Sequence, residues 1–354
     1  MNMSWCLTGL PALRVLALAV AVLSAGTAQP QDASASRYTV RTIPLPDNNT
    51  GDVSMDYIAY DLATNAIWVP GGNTGAIDVV DVTSGTVRQI PNQPTSQAQI
   101  RGGTRILGPT AVSIGDGVVY IGNRGDSSVC AFNGRSLARV ACGHIDSMTD
   151  GVAYVAPTKE VWVTAPRDQS IRVLDATTLV EKAKLAFPGN PEGYAVDAVR
   201  GRFYTNLEDK DRTVAIDLKT RQTVATWNPA CGGGGPHGIS LDAAAGHLYV
   251  ACDGAAEVLN VGSDGAVLSK IETGDGVDDL AYAAGSHLLY VGAARAGKLT
   301  IARADAKGQL AILTQVTTHE GARNGVVTQD GTVFLAHGGG VKLPALIVVA
   351  PTGR

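Results

Sequence analysis

Seven residues recur at the start of short apolar runs along the chain: Asp56, Thr110, Asp150, Glu192, His237, Asp278 and Asn324. The first step is 54 residues long and the later ones run from 40 to 46, the pattern of a structural repeat that delivers one side chain per copy to a common place. Four carboxylates, an imidazole and an amide would then converge. Crowded like charges are costly unless a cation or protons neutralise them. Asp56, Asp150, Glu192, His237 and Asp278 are therefore expected as ligands of one divalent metal. Oxygen-rich ligation makes calcium the leading expectation, with magnesium or manganese next, and His237 would admit zinc. The alternative is a water-filled channel whose polar side chains stay solvated. Should the site be catalytic, Glu192 and His237 are the expected catalytic residues. Thr110, Asn324, His319, Arg323 and Arg101 are the expected ligand-binding residues around it.

The elements that must position these residues read as β-strands. From Gly235 to Val261 the chain runs GPHGISLDAAAGHLYVACDGAAEVLNV, three strands of alternating apolar residues broken by Gly/Asp/Asn turns. The same phrase returns as MDYIAYDLATNAIWV, PTAVSIGDGVVYI, TDGVAYVAPTKEVWV, PEGYAVDAVRGRFYT, PHGISLDAAAGHLYV, VDDLAYAAGSHLLYV and RNGVVTQDGTVFLA. Several copies add a fourth strand, such as TVRQI, VEKAKLAF and TVATW. The last copy has three strands, while RYTVRTIPLP near the N-terminus is a strand without a repeat. Pairing those two completes seven four-stranded antiparallel blades in a ring, an all-β seven-bladed β-propeller. The long first step is an insertion, NQPTSQAQIRGGTRILG from Asn92 to Gly108, a polar loop with two arginines that reads either as a binding element or as a solvated insertion of no consequence.

Composition narrows the partners. The chain has 354 residues and a formal net charge of −4, without a basic stretch, which argues against a nucleic-acid backbone as partner. A small molecule or a periplasmic protein is expected instead, bound by a monomer. The N-terminus carries Arg14, the apolar run VLALAVAVLSAGTA, and small residues at Gly26 and Ala28, so residues 1–28 are expected to be a signal peptide. Residues 29–36 read as a linker and 37–354 as one propeller, periplasmic or secreted, with no membrane span after cleavage. Four cysteines remain, Cys130, Cys142, Cys231 and Cys252, and an even number in an exported protein reads as disulfides. Of three possible pairings, Cys130 with Cys142 joins consecutive strands of one hairpin. Cys231 with Cys252 joins two places in one repeat. No CxxC pair favours zinc at these cysteines, and without CxxCH there is no covalent haem.

With the blades in place, the chain resembles the YVTN-repeat, YncE-like family of exported bacterial seven-bladed propellers. The resemblance rests on MDYIAYD, NPEGYAVD followed by FYTNLEDKDRTVAIDLKT, the PAC…PHGISLD…LYVACD pair, GDGVDDLAY and GARNGVV, and it covers essentially the whole mature chain. It implies the fold, the second disulfide and a recognition platform more readily than an enzyme. The second strands depart from the family name, ending FYTN in one copy and WVTA, YVAC or YVGA in others.

The acidic ring also looks like the metal site of gluconolactonase-type hydrolases. On that analogy Asp56 or Glu192, Asn324, and Asp150 or Asp278 would ligate a metal that polarises an ester carbonyl, with a spare carboxylate activating water. Those hydrolases usually have six blades, and their flanking motifs are absent here. The main reading is thus a propeller binding a ligand or partner at its axial mouth, and the alternative is a metal-dependent lactonase-like hydrolase or lyase. Arg124, Arg167 and Arg295, which follow second strands, would present cations to a carboxylate ligand, and His337 ends the strand beside His319. His247 and His287 read as structural turn residues. No phosphate loop, GxSxG or HExxH is present.

Overall fold

The computed structural model describes residue 1 and residues 37–46, 52–100, 103–339 and 343–353. The expected signal peptide (1–28), the linker (29–36) and Arg101 lie outside this set. The described residues form seven four-stranded antiparallel sheets and one extra hairpin. The first blade comprises Ala59–Asp61, Ala66–Gly71, Ala76–Asp81 and Val87–Ile90. The blade around Gly235 comprises Pro236–Asp242, His247–Cys252, Gly254–Asn260 and Ala266–Gly274.

Alternation fills the space between blades. Second and third strands are covered on both faces, as in Ala66–Gly71 and Glu160–Ala165, where every residue is buried. Large side chains join neighbouring sheets: Trp162 stacks on Phe203 of the next blade with ring centroids 4.8 Å apart. Outer strands alternate instead, so Glu181–Ala186 leaves Lys182 and Lys184 in solvent. The connection to each outer strand is a side-chain-capped turn. Asp175 Oδ1 accepts the backbone N–H groups of Thr177 and Thr178, both at 3.0 Å, and Asp217 does the same for Lys219 at 3.0 Å and Thr220 at 2.9 Å. An Asx turn of this kind supplies the reversal that the sequence marks with Asp followed by small or polar residues.

The ring closes as the strand count required. Tyr38–Pro44 pairs antiparallel with Ala345–Pro351 over seven residues, from Tyr38 opposite Pro351 to Pro44 opposite Ala345. Beyond it, the Val53 amide donates to the Gly338 carbonyl at 2.6 Å, tying the first blade's lead-in to the last blade. Both disulfides follow the expected pairing, Cys130 with Cys142 and Cys231 with Cys252.

Two local readings change. The insertion is more than a loop: Ser96–Ile100 and Gly103–Leu107 form an antiparallel hairpin, with Ser96 opposite Leu107 and Gln99 opposite Thr104. Its root presses on the first blade at Gly108, where a Cβ would stand 1.9 Å from the Gly72 carbonyl oxygen. In the first blade, Met55 to Ile58 precede the strand rather than form it. Tyr57 there bridges in parallel to Ala111 of the second blade, its amide donating to the Thr110 carbonyl at 3.2 Å.

Since each ladder hydrogen bond nets about 1 kcal/mol, deleting residues 37–44 is expected to cost several kcal/mol and expose the edge of Ala345–Pro351. A lower urea midpoint with concentration-dependent aggregation is the outcome this closure requires. An unchanged midpoint would show that the last blade stands as three strands.

Candidate functional site

Close approach of the innermost strands sets the geometry of the axis. The residue after the ring position is Gly151, Gly193 or Gly238 in three successive blades, and nothing larger fits. A Cβ on Gly193 would lie 2.2 Å from the His237 carbonyl oxygen, and one on Gly238 would lie 2.1 Å from Asp279 Oδ1. The side chains of Asp56, Asp150, Glu192, His237 and Asp278 are thereby held around one mouth, where they line a cavity of about 1700 Å³. Arg105, Ile106 and Leu107 of the hairpin line it too.

One side of the ring is neutralised from within. Arg124, one residue past a second strand, donates to Asp56 Oδ2 at 2.9 Å and also contacts Asp150. Burial opposes charge on Arg124, but Asp150 and Asp56 outweigh it and hold its pKa above the ordinary value. Asn324 Nδ2 donates to Asp56 Oδ1 at 3.0 Å and to Asp278 Oδ2 at 2.7 Å. Asn324 adopts φ +43°, an unusual conformation for a non-glycine residue that Asn tolerates better than most. Arg323 approaches Asp278 Oδ2 at 3.2 Å.

The other side is open. His237 Nδ1 stands 3.8 Å from Glu192 Oε2 and 3.9 Å from Glu208 Oε1. Glu192 Oε2 is buried and makes no hydrogen bond. Burial, followed by the nearby Glu208, Asp150 and Asp278, pushes the Glu192 carboxyl well above its ordinary range. One donor atom each from Glu192, His237 and Asp278 lies within 4.8 Å of the others. Ligands held 2.3–2.6 Å from one ion are themselves roughly 3–5 Å apart, so this trio matches the span of a calcium- or manganese-sized cation. Asp56 and Asp150 face the guanidinium of Arg124 instead.

Further along the axis, Asp279 is half-buried against Gly238, and its Oδ1 accepts the Leu280 amide at 2.8 Å. Burial, helped by Asp278 and Asp56, raises it to about 7. Asp56 is raised to about 6, by burial first and by Asp278 and Asp150 against the pull of Arg124. Tyr57 is pushed upward by burial and by the surrounding carboxylates.

Among the other expected residues, Thr110 is buried in the ring, with no part in the cavity lining. Arg323 lines the cavity, and His319 and His337 line a neighbouring one. Arg167 lines the mouth as well. Arg295 is held by Asp253 through two 2.7 Å hydrogen bonds. Sequence reasoning passed over Glu208 and Asp253, and took Arg124 for a ligand contact rather than the ring's own counter-ion. Arg124, Glu208 and Asp253 each follow directly on the end of a second strand, so aligning the copies on that strand would have exposed them as a second ring.

Each raised carboxyl has a higher pKa folded than unfolded, so between about pH 4 and pH 7 the native state binds more protons and stability falls as pH rises. Carboxyls held low by their partners, such as Asp168 beside Arg172, lose their contribution only in more acidic solution. In chelator-treated protein, urea midpoints are expected to be higher at pH 5.5 than at pH 8. Asp279→Asn should gain on the order of 1–3 kcal/mol at pH 8 and flatten the profile. A midpoint rising from pH 5.5 to pH 8 would contradict the neutralisation described for the axis.

No protein-family model matches the chain, and no curated protein matches it by sequence. Solved structures do share its fold. A streptogramin B lyase structure superposes with a TM-score of 0.71 at 13% identity, covering 90% of this chain and 99% of that one. U3-55K gives 0.70 at 13%, covering 89% and 99%. A chain of the Kuenenia stuttgartiensis hydrazine synthase gives 0.69 at 12%, covering 86% and 97%. At these identities the likeness shows the propeller fold, shared by proteins of very different roles.

Proposed function

We propose that the axial mouth binds a small anionic molecule through a divalent cation held by Glu192, His237 and Asp278. The observation that carries this reading is the buried, unpartnered Glu192 Oε2 next to two further donors in a space the size of one ion's coordination sphere. A bound cation would supply the positive charge that Arg124 supplies to Asp56 and Asp150. Manganese or calcium suits the donor span and the two carboxylates, and the imidazole favours manganese. Arg105 and Arg167 line the same cavity and, among the described residues, form no ion pair, which leaves two guanidinium groups to receive a carboxylate or phosphate.

A second reading rests on the same carboxyl. A Glu192 kept protonated beside His237 and Glu208 is equipped to pass a proton to or from a bound molecule, as a hydrolase or lyase requires. One propeller of like fold is a lyase by its name. The repeat phrases support membership of the YVTN-repeat, YncE-like group, and the two disulfides support work in an oxidising compartment, periplasmic or secreted. No described helix is long and apolar enough to cross a membrane.

Protein purified without chelator is expected to carry close to one equivalent of manganese or calcium by elemental mass spectrometry. EDTA should lower its melting temperature by several degrees, as loss of a ligand specific to the native state does. Glu192→Gln and His237→Ala should each abolish uptake at this site without unfolding the protein, whereas Asp150→Asn, on the Arg124 side, should retain it. Equal metal content in wild type and Glu192→Gln would refute the assignment.

A further inference from the structure

A second cavity of about 730 Å³ lies beside the axial mouth, where the first blade's lead-in meets the last blade. Asp52 and Ser54 line it from one side and Thr318, His319 and His337 from the other, with Asp52, Val53, Ser54, Gly321 and Arg323 common to both cavities. The two histidines come from the segments TTHEG and LAHGGG, and neither is a donor to the proposed axial cation.

His337 is only 3% exposed, at the end of the strand Val333–His337. Its Nε2 lies 3.0 Å from the Glu320 carbonyl oxygen. A carbonyl only accepts, so Nε2 carries a proton, and in the neutral ring Nδ1 is left with a bare lone pair. That Nδ1 is buried and has no hydrogen-bond partner. Leaving such an acceptor unmet costs about 1–3 kcal/mol. A ring N–H fixed on a backbone carbonyl, with the opposite nitrogen free, is the arrangement of a metal-bound histidine. The His319 ring stands edge-on to it, with centroids 5.6 Å apart and planes at 79°. Two imidazoles binding one ion at 2.0–2.1 Å with a near-tetrahedral angle have centroids about 5–5.5 Å apart.

We propose that His337 Nδ1 and His319 hold a transition-metal ion of the zinc or copper class in this cavity, with solvent completing the coordination. Imidazole donors separate this site from the carboxylate-rich axis, which suits a harder ion.

The test uses zinc chloride titrated calorimetrically into chelator-treated Glu192→Gln/His237→Ala protein, which lacks two of the three axial donors. About one equivalent should bind and raise the melting temperature. Adding His319→Ala, a partly exposed position, should weaken binding roughly tenfold or more, and His337→Gln should do the same with its folding checked by circular dichroism. Copper(II) in the same double variant should show electron paramagnetic resonance couplings from two nitrogens, falling to one with His319→Ala. No zinc uptake by the double variant overturns the proposal, as does unchanged affinity in both histidine variants. Failure of the axial reading looks different: wild type and double variant would then bind the same single equivalent of zinc, and manganese not at all.

Discussion

Seven strands that start around one axis force their first side chains together, and in this chain four of those seven are carboxylates. The cost of that crowding governs the rest of the mouth. Unit charges about 4 Å apart repel by several kcal/mol at an effective dielectric near 20, too much for a marginally stable domain to leave uncompensated. The protein compensates in two ways. Arg124 enters between Asp56 and Asp150 as a permanent counter-ion, and Asn324 joins Asp56 to Asp278 through its amide. Glu192 receives neither, and is left to hold a proton or to await a cation.

The scaffold makes this arrangement rigid enough to matter. Glycines behind Asp150, Glu192 and His237 let neighbouring strands approach until no Cβ fits, so the ring residues cannot retreat from one another. The closing strand holds the ring together, Cys130–Cys142 staples the two outer strands of one blade, and Cys231–Cys252 ties the segment that carries the mouth-lining Gly234 to a second strand. A mouth preorganised in this way offers a ligand fixed charges in place of flexible ones, which lowers the ordering cost of binding.

The blades were legible in the sequence because alternation, Asx turns and repeat spacing are local signals that all indicate the same architecture. The lone N-terminal strand and the incomplete last copy together implied the closure. Cysteine positions within one repeat led to both disulfides. The ring was legible too, since each member occupies one repeat position. What local signals could not reveal was which ring members touch which neighbour. Arg124, Glu208 and Asp253 reach the axis from loops after second strands, and their roles depend on side-chain reach across blades. The insertion misled for a related reason: QAQI and TRIL are polar enough to pass for a loop, and only their mutual pairing makes them a hairpin. His319 and His337 likewise become neighbours only when the last blade folds.

The axial ring is divided: Arg124 occupies the Asp56 and Asp150 side, and the proposed cation takes the side of Glu192, His237 and Asp278. Anomalous diffraction at the manganese edge, from crystals grown in manganese chloride, tests it directly. An axial peak within coordination distance of Glu192, His237 and Asp278 is expected, with Arg124 still between Asp56 and Asp150. A peak between Asp56 and Asp150 with Arg124 displaced, or no peak on the axis, would contradict it.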